Sequence, residues 1–303
     1  MISRFSRPTL ATVFRIAVSG ACVASVHAAS QEPAVGLEVT TTARALRPGE
    51  VVLLTIHPSR PVVSVSGTAF NETLHPWSAD EGGWRTLVGI PLSTRPGSHV
   101  VVLQAKSADG RTGTARVPLT VGPGQFSTRR LTVDPQFVNP PASAMERIAA
   151  EAKAMADLFA HPSPERLWHG PFLVPVTGPS TSSFGRLSIL NGESRSRHQG
   201  ADFRAAEGTE VHMPNGGRVV LVADYYFSGN TVIVDHGAGL FSLFAHFSKV
   251  RVESGAIVKT GDVLGEAGAT GRVTGPHVHW AVRLNGASVD PLSLVEASAS
   301  IVD

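Results

Sequence analysis

Between residues 36 and 121, short runs of Val, Thr and Leu alternate with turn-forming clusters. GLEVTTTARA, EVVLLTIHP, VVSVSGTAF, WRTLVGIPL, HVVVLQAKS and TGTARVPLTV each read as a strand. RPGE, STRPGS and SADGRTG supply the turns between them. Strands this short and this evenly spaced predict an immunoglobulin-like β-sandwich over residues 36–123. A Pro-rich connector over 124–167 follows, and within it the pattern changes period. Met145, Ile148, Ala149, Ala152, Met155 and Phe159 recur at helical spacing, which predicts a helix over 143–160 with that stripe used for packing. Ser143 and Glu146 are placed to form a capping box at its start, and His161-Pro162 and Pro164 stop it. From 168 to 296 the chain is β again: EVHMP, GRVVLVADYY, NTVIVDHG, LFSLFAHFS, AIVKTGDVLGEAG and HVHWAVRLNG alternate with Gly and Asn turns. Asp290-Pro291 reads as a turn that ends a strand. The reading is of a mainly β protein: a sandwich, one linker helix, and a C-terminal antiparallel β domain.

Composition supports two folded domains. The chain has 303 residues, 42% hydrophobic and 17% charged, with Gly 30 and Pro 21. The net charge of +2 gives no reason to expect a nucleic-acid partner. The basic balance is compatible with an anionic polymer as substrate. Residues 1–28 follow the plan of a secretory signal: Arg4, Arg7 and Arg15, then the apolar IAVSGACVASV, then small residues up to a cleavage point after Ala28. No apolar run is long enough to span a membrane. The one cysteine, Cys22, sits inside the leader and lacks the preceding Leu of a lipoprotein signal. Cleavage after Ala28 leaves a chain with no disulfide and no thiolate nucleophile. A monomer is expected.

The C-terminal domain places polar groups where a β core wants apolar ones. RHQGADF carries His198 and Asp202, FAHF carries His246, and GPHVHW carries His277 and His279. Six of the twelve histidines, counting also His212 and His236, fall between 198 and 279. In a strand, residues i and i+2 share a face, so the 277/279 pair points one way. Imidazoles and a carboxylate are ordinary zinc ligands, and a catalytic zinc takes three protein ligands plus water. His198, Asp202 and one member of the 277/279 pair would supply three. No H-E-x-x-H occurs in the chain, so the glutamate base of that metalloprotease class is absent.

HQGAD, then NTVIVDHGAGLFSLFAHFS, then GDVLGEAGATGRVTGPHVHW, together with TSSFG before them and NGASVDPL after, resembles the lysostaphin-like (LytM-type) zinc endopeptidases, which cut the peptide part of bacterial peptidoglycan. The resemblance spans roughly residues 170–293. The N-terminal β domain and helix look, more loosely, like those of secreted Gram-negative members. The resemblance implies one zinc, held by His198, Asp202 and His279, with His246 and His277 beside it as the catalytic pair. It implies hydrolysis of peptidoglycan cross-links, D-Ala to meso-diaminopimelate in a Gram-negative setting, in the periplasm or outside the cell. Oligoglycine bridges are the alternative substrate. The alternative function is a non-catalytic or autoinhibited regulator of cell-wall hydrolases; degenerate relatives of that kind lack site residues, and all five are present here. Three positions depart from the family pattern: Ala281 where many relatives have Glu, Phe247 where Leu is usual, and Phe244 where a Tyr would bring a hydroxyl near the site. His236 is expected to brace a turn and His212 to be structural; His57, His75 and His99 are scattered. Asn191 and Arg195 lie near the first motif without an assigned role.

Overall fold

The computed structural model describes residues 13–14, 34–79, 82–182 and 184–301. Of the expected leader, only Val13–Phe14 (β1) falls within these ranges, paired with Thr42 and Thr41. The rest of residues 1–28, with Cys22 and the expected cleavage point after Ala28, lies outside the described residues.

The N-terminal unit is two packed antiparallel sheets. Its strands are Leu37–Ala43 (β2), Val51–Pro58 (β3), Ser64–Ala69 (β4), Glu72–Leu74 (β5), Trp77–Ser78 (β6), Trp84–Gly89 (β7), Gly97–Lys106 (β8) and Thr112–Val121 (β9). One sheet runs β1-β2-β3-β7-β6 and the other β5-β4-β8-β9. The alternating pattern of β8 and β9 puts Leu103 and Leu119 into a core with Val52, Leu54, Ile56 and Val88. Strand β3 breaks the alternation, because VVLL is buried on both faces. Val52 and Leu54 point into the sandwich. Val51 and Leu53, with Leu87 of β7, join the core of the second unit beside Trp168, Phe172, Val289 and Leu294.

The connector is more structured than its Pro content suggests. It contains Thr128–Leu131 (β10), a 3-10 turn Pro135–Phe137 and the helix Ala142–Phe159 (α1). The capping box does not form. Pro141, extended at φ −63° and ψ 153°, is the N-cap and makes no side-chain cap. The helix therefore starts at Ala142, and Ser143 falls inside its first turn, beyond the capping position. The packing stripe is also not a core stripe: no residue of α1 is buried and Met145 is 53% exposed.

The C-terminal unit holds Ser180–Ser182 (β11), Leu187–Leu190 (β12), Glu193–Arg197 (β13), Gly200–Arg204 (β14), Glu210–His212 (β15), Gly217–Tyr225 (β16), Gly229–Gly237 (β17), Leu240–Val250 (β18), Ile257–Val258 (β19), Val263–Ala267 (β20), His277–Leu284 (β21), Ala287–Val289 (β22) and Pro291–Ser298 (α2). Its main sheet has the order β11-β14-β21-β18-β17-β16-β19. Strand β10 of the connector pairs parallel to β12, which pairs with β13 in a small separate sheet. Asp290-Pro291 starts α2 rather than merely closing a strand. The Asp290 carboxylate accepts from the Leu292 amide, and proline at the first helical position loses no hydrogen bond there.

The two units share polar ties as well as apolar core. Arg44 reaches Glu50 at 3.0 Å, Asp290 at 2.7 Å and Glu296 at 3.3 Å. The Val51 amide donates to Ser293 Oγ at 2.8 Å, and Asn285 Nδ2 donates to the Leu87 carbonyl at 3.1 Å. A Cβ on Gly89 would stand 2.8 Å from Val289 Cγ1, so the sheets meet where a side chain is missing. Among the described residues, no helix is long and apolar enough to cross a membrane.

With both faces of β3 buried, Leu53→Ala and Leu54→Ala are each expected to cost about 2–5 kcal/mol, read as a lowered urea midpoint. A strand buried on one face only would leave one of the two substitutions nearly neutral.

Candidate metal centre

The site is built on three neighbouring strands with a strict two-residue alternation. Along β21, Val278, Trp280, Val282 and Leu284 are buried, while His277, His279, Ala281 and Arg283 face the other way. His279 lies opposite Asp202 of β14 and opposite Ala245 of β18. Pairing therefore brings the two sequence motifs side by side. Trp280 fixes the register: it is fully buried, stacks on Phe244, and donates its indole N–H to Ser242 Oγ at 3.0 Å.

His198 sits between β13 and β14, held by backbone bonds on both sides: its amide donates to the Arg186 carbonyl and its carbonyl accepts from the Gly185 amide. Its Nε2 lies 3.0 Å from His279 Nδ1 and 3.1 Å from Asp202 Oδ1, and His279 Nδ1 lies 2.9 Å from the same oxygen. Three donor atoms thus form a nearly equilateral triangle. A tetrahedral zinc with bonds of about 2.0–2.2 Å separates its ligands by about 3.3–3.6 Å. A small outward shift of these side chains accommodates such an ion. Two imidazoles, one carboxylate and an open side towards the cleft are the donor set of a three-ligand site, so the residues present fit zinc.

Electrostatics favour the ligand forms. Burial opposes ionisation of Asp202, but hydrogen bonds from His198 and His279 outweigh it and hold the carboxyl far below the usual range. Burial lowers His279, against the pull of Asp202. His279 and His246 are therefore neutral at neutral pH, with lone pairs available.

His246 occupies a β-bulge. Asn230 pairs with Phe247 and Val232 with Phe244, so one strand has an extra residue between the pairs. His246 has φ 70°, in the left-handed region that a non-glycine residue adopts at an energetic cost. Its amide donates to the Ser228 carbonyl at 2.9 Å and its ring Nδ1–H to the Thr270 carbonyl at 2.8 Å. Because that carbonyl can only accept, Nε2 is the basic nitrogen. Burial, with His279 and His277 nearby, pushes its pKa down to about 3. His277 is oriented the same way, its Nδ1–H donating to the Gly275 carbonyl at 2.9 Å. The rings of His246 and His277 are 4.8 Å apart, and His277 Nε2 is 3.7 Å from Asp202 Oδ1.

All five residues line one cleft of about 1100 Å³. Its floor is the polar side of β14, β18 and β21. Loop 272–276 forms one wall, and Ala152, Met155 and Phe159 of α1 form another. Of the stripe expected to pack α1 into a core, the C-terminal half, Ala152, Met155 and Phe159, instead lines this cleft. The remaining histidines stand elsewhere. His236 is buried in β17, its ring held between the Gly216 carbonyl and Ser242 Oγ, with burial pushing its pKa down to about 4. His212 bonds the Gly261 carbonyl on the surface. Asn191 braces Val133 by two hydrogen bonds; the side chain of Arg195 lies outside the described residues. Phe244 faces the core against Trp280, away from the cleft, so a hydroxyl at this position would not reach the site. Sequence reading passed over Arg283, which the two-residue period counted on from His279 places on the same face.

Known proteins can now be set beside this geometry. A sequence profile of Peptidase family M23 matches residues 196–291. A crystal structure from Pseudomonas aeruginosa assigned to peptidase M23 superposes over 83% of this chain and 95% of that one, with TM-score 0.63 and 32% identity. Peptidoglycan DD-endopeptidase ShyB of Vibrio cholerae is 35% identical over 95 residues, 31% of this chain and 22% of that protein. Cell division protein DipM of Caulobacter vibrioides is 30% identical over 207 residues, 67% of this chain and 32% of that protein. The chain spans less than a third of the length of these two curated relatives. It belongs to Peptidase family M23.

Gly200 gives this site a specific test. A Cβ there would stand 2.6 Å from His279 Cε1 and 2.5 Å from the Trp280 carbonyl oxygen. Gly200→Ala is expected to push the imidazole off Asp202 and to weaken zinc uptake about 10–100-fold, measured by zinc titration, with the far-UV circular dichroism spectrum unchanged.

Proposed function

We propose that this protein is an extracytoplasmic zinc endopeptidase that hydrolyses the peptide cross-links of peptidoglycan, at the D-Ala–meso-diaminopimelate bond. The observation that carries the reading is the triangle of His198, Asp202 and His279 on a cleft floor, with two further histidines beside it, each tied through Nδ1 to a backbone carbonyl. The M23 membership and the DD-endopeptidase named among its relatives support the reaction class and the substrate.

In this reading His198, Asp202 and His279 hold the metal. When bound, zinc supplies a Lewis acid for the scissile carbonyl and lowers the pKa of water towards neutrality. His246 and His277 handle protons. Each has Nδ1–H committed to a backbone carbonyl, which leaves Nε2 to take a proton from water or, once protonated, to give it to the departing amine. Burial of His246 keeps its ring neutral before reaction, with the Nε2 lone pair unprotonated. The carbonyls of Thr270 and Gly275 fix ring orientation, which spares reorganisation as the proton moves. Loop 268–276 is itself pinned: Thr270 Oγ1 accepts from the Asn230 amide and donates to the Phe247 carbonyl, both at 3.0 Å.

The purified chain is expected to carry about one zinc and to release cross-link fragments from peptidoglycan, identified by mass. A chelator abolishes release and added zinc restores it. His279→Ala loses zinc and activity together. His246→Ala and His277→Ala keep zinc and lose about 100-fold or more in rate, the contribution of a positioned acid or base. Loss of zinc in His277→Ala but not in His279→Ala would reverse the assignment of the pair. Bound zinc without cleavage of any cross-link would overturn the hydrolase reading in favour of a regulatory one.

A further inference from the structure

The cleft floor continues past the metal-binding triangle, and its far end carries a charge with no counter-charge among the described residues. Asp202 is the one acidic residue lining the cleft among the described residues, against Arg129, Arg197, Arg204, Arg272 and Arg283. Arg283 differs from its neighbours by its place. It shares the cleft-facing side of β21 with His277, His279 and Ala281, and lies four residues, about 13 Å, beyond His279 along an extended strand. It is only partly exposed. Among the described residues it makes no ion pair, and its one hydrogen bond goes from Nη1 to the Gly286 carbonyl at 3.2 Å. A guanidinium has five N–H donors, so most of them have no acceptor among the described residues. Burial without a counter-charge disfavours its charged form. The position between it and His279 is alanine, which offers no carboxylate.

One face of the guanidinium rests on the ring of Phe159 at 4.9 Å, and Phe159 meets Phe241 edge-on at 5.2 Å. Phe241 is the strand partner of Arg283. Phe159, itself set against Phe241, covers the guanidinium at the end of the floor, and Arg283 lines the cleft there. An aromatic face binds a guanidinium less strongly than a carboxylate accepting two parallel hydrogen bonds does. Packing of the arginine stem alone is the simpler account, but it would not require the charged head to stay in the cleft without a counter-charge.

We propose that Arg283 is the subsite for a free carboxylate of the substrate, held a fixed distance along β21 from the bond to be cut. This assignment rests on the peptidase reading of the cleft. It makes the preferred substrate an anionic peptide strand with a carboxylate two to four residues from the scissile amide, lying along β21. Arg283 then acts as a specificity residue: it selects and positions, and takes no part in proton transfer.

The test uses the full zinc-loaded chain and two synthetic cross-linked peptide dimers of one sequence. In one dimer the carboxylates remote from the scissile amide are free; in the other they are carboxamides. Wild type is expected to favour the free acid in kcat/KM by about 10–100-fold, the range of a charge-assisted hydrogen bond, with the difference in KM. Arg283→Met keeps the apolar stem and removes the charge, and should bring the ratio close to one. Arg283→Lys should keep part of the preference. Ala281→Glu supplies an internal carboxylate two residues away on the same face, and should raise KM for the free acid more than for the carboxamide. Equal kcat/KM for the two dimers in wild type, or an undiminished ratio in Arg283→Met, overturns the subsite while leaving the peptidase reading intact. Cleavage of neither dimer overturns both.

Discussion

Everything at the site depends on the register of one strand. In β21 the residues Val278, Trp280, Val282 and Leu284 are buried, and this decides that His277, His279, Ala281 and Arg283 face the cleft. A slip of one residue would exchange the two sets. It would bury two imidazoles and a guanidinium and expose a tryptophan and three aliphatic side chains. The cost of such an exchange is far larger than any single hydrogen bond at the site. Trp280 locks the choice because it is held both by packing and by its indole N–H on Ser242, whose hydroxyl also meets the buried ring of His236. His236 thus serves the site from the opposite side of the sheet, as part of what keeps Trp280 in place.

A regular sheet would not suffice. The floor strands supply His277, His279 and Asp202 by alternation alone, but His246 follows Ala245, which already faces the cleft. Only an irregularity can turn the next residue to the same side. The bulge at Ala245-His246, with its positive φ, does so. Its strain is offset by two hydrogen bonds, to the Ser228 and Thr270 carbonyls. Strain of this kind persists where the surroundings over-determine it. Here the surroundings are loop 268–276, docked by Thr270 and Arg272 against the 227–230 turn.

This division explains what could be read from the chain. The residues brought together were legible because each is a polar group in a strand whose other residues are apolar, and the strands themselves are rich in β-branched side chains. Their roles came from resemblance, because spacing alone leaves the choice between His277 and His279 open. What was not legible depends on which surfaces meet. VVLL of β3 reads as one buried face or two depending on whether a second unit covers it. The stripe of α1 reads as core packing, and only the fold shows that its second half, from Ala152 to Phe159, lines a cleft. Asp290-Pro291 reads equally as a turn or as a helix start; the eight residues of α2 are too few for a periodic signal. Arg283 carries no motif of its own. It becomes conspicuous only when the absence of a counter-charge among the described residues is known, and counter-charges are a property of the folded chain.

The two elements that precede the C-terminal domain are attached to it in different ways. The sandwich shares a core with it: Val51, Leu53 and Leu87 pack with Trp168, Val289 and Leu294, and Arg44 ties Asp290 and Glu296 across the junction. Removing the sandwich would uncover that core and leave Asp290 without its cation, so a fragment starting near Trp168 would lose stability along with its neighbour. Helix α1 has no buried residue. Its ties are the exposed pair of Arg147 with Asp224, a bond from the Tyr226 amide to Glu151, and the contact of Phe159 with Phe241 and Arg283. Exposed ion pairs contribute about 0–1 kcal/mol, and segments with few buried apolar contacts open at low free-energy cost. Of these two elements, the helix is therefore the one held by the fewer buried contacts. It is also the wall whose last aromatic residue rests on Arg283, so access to that end of the floor and the position of α1 are coupled through one ring.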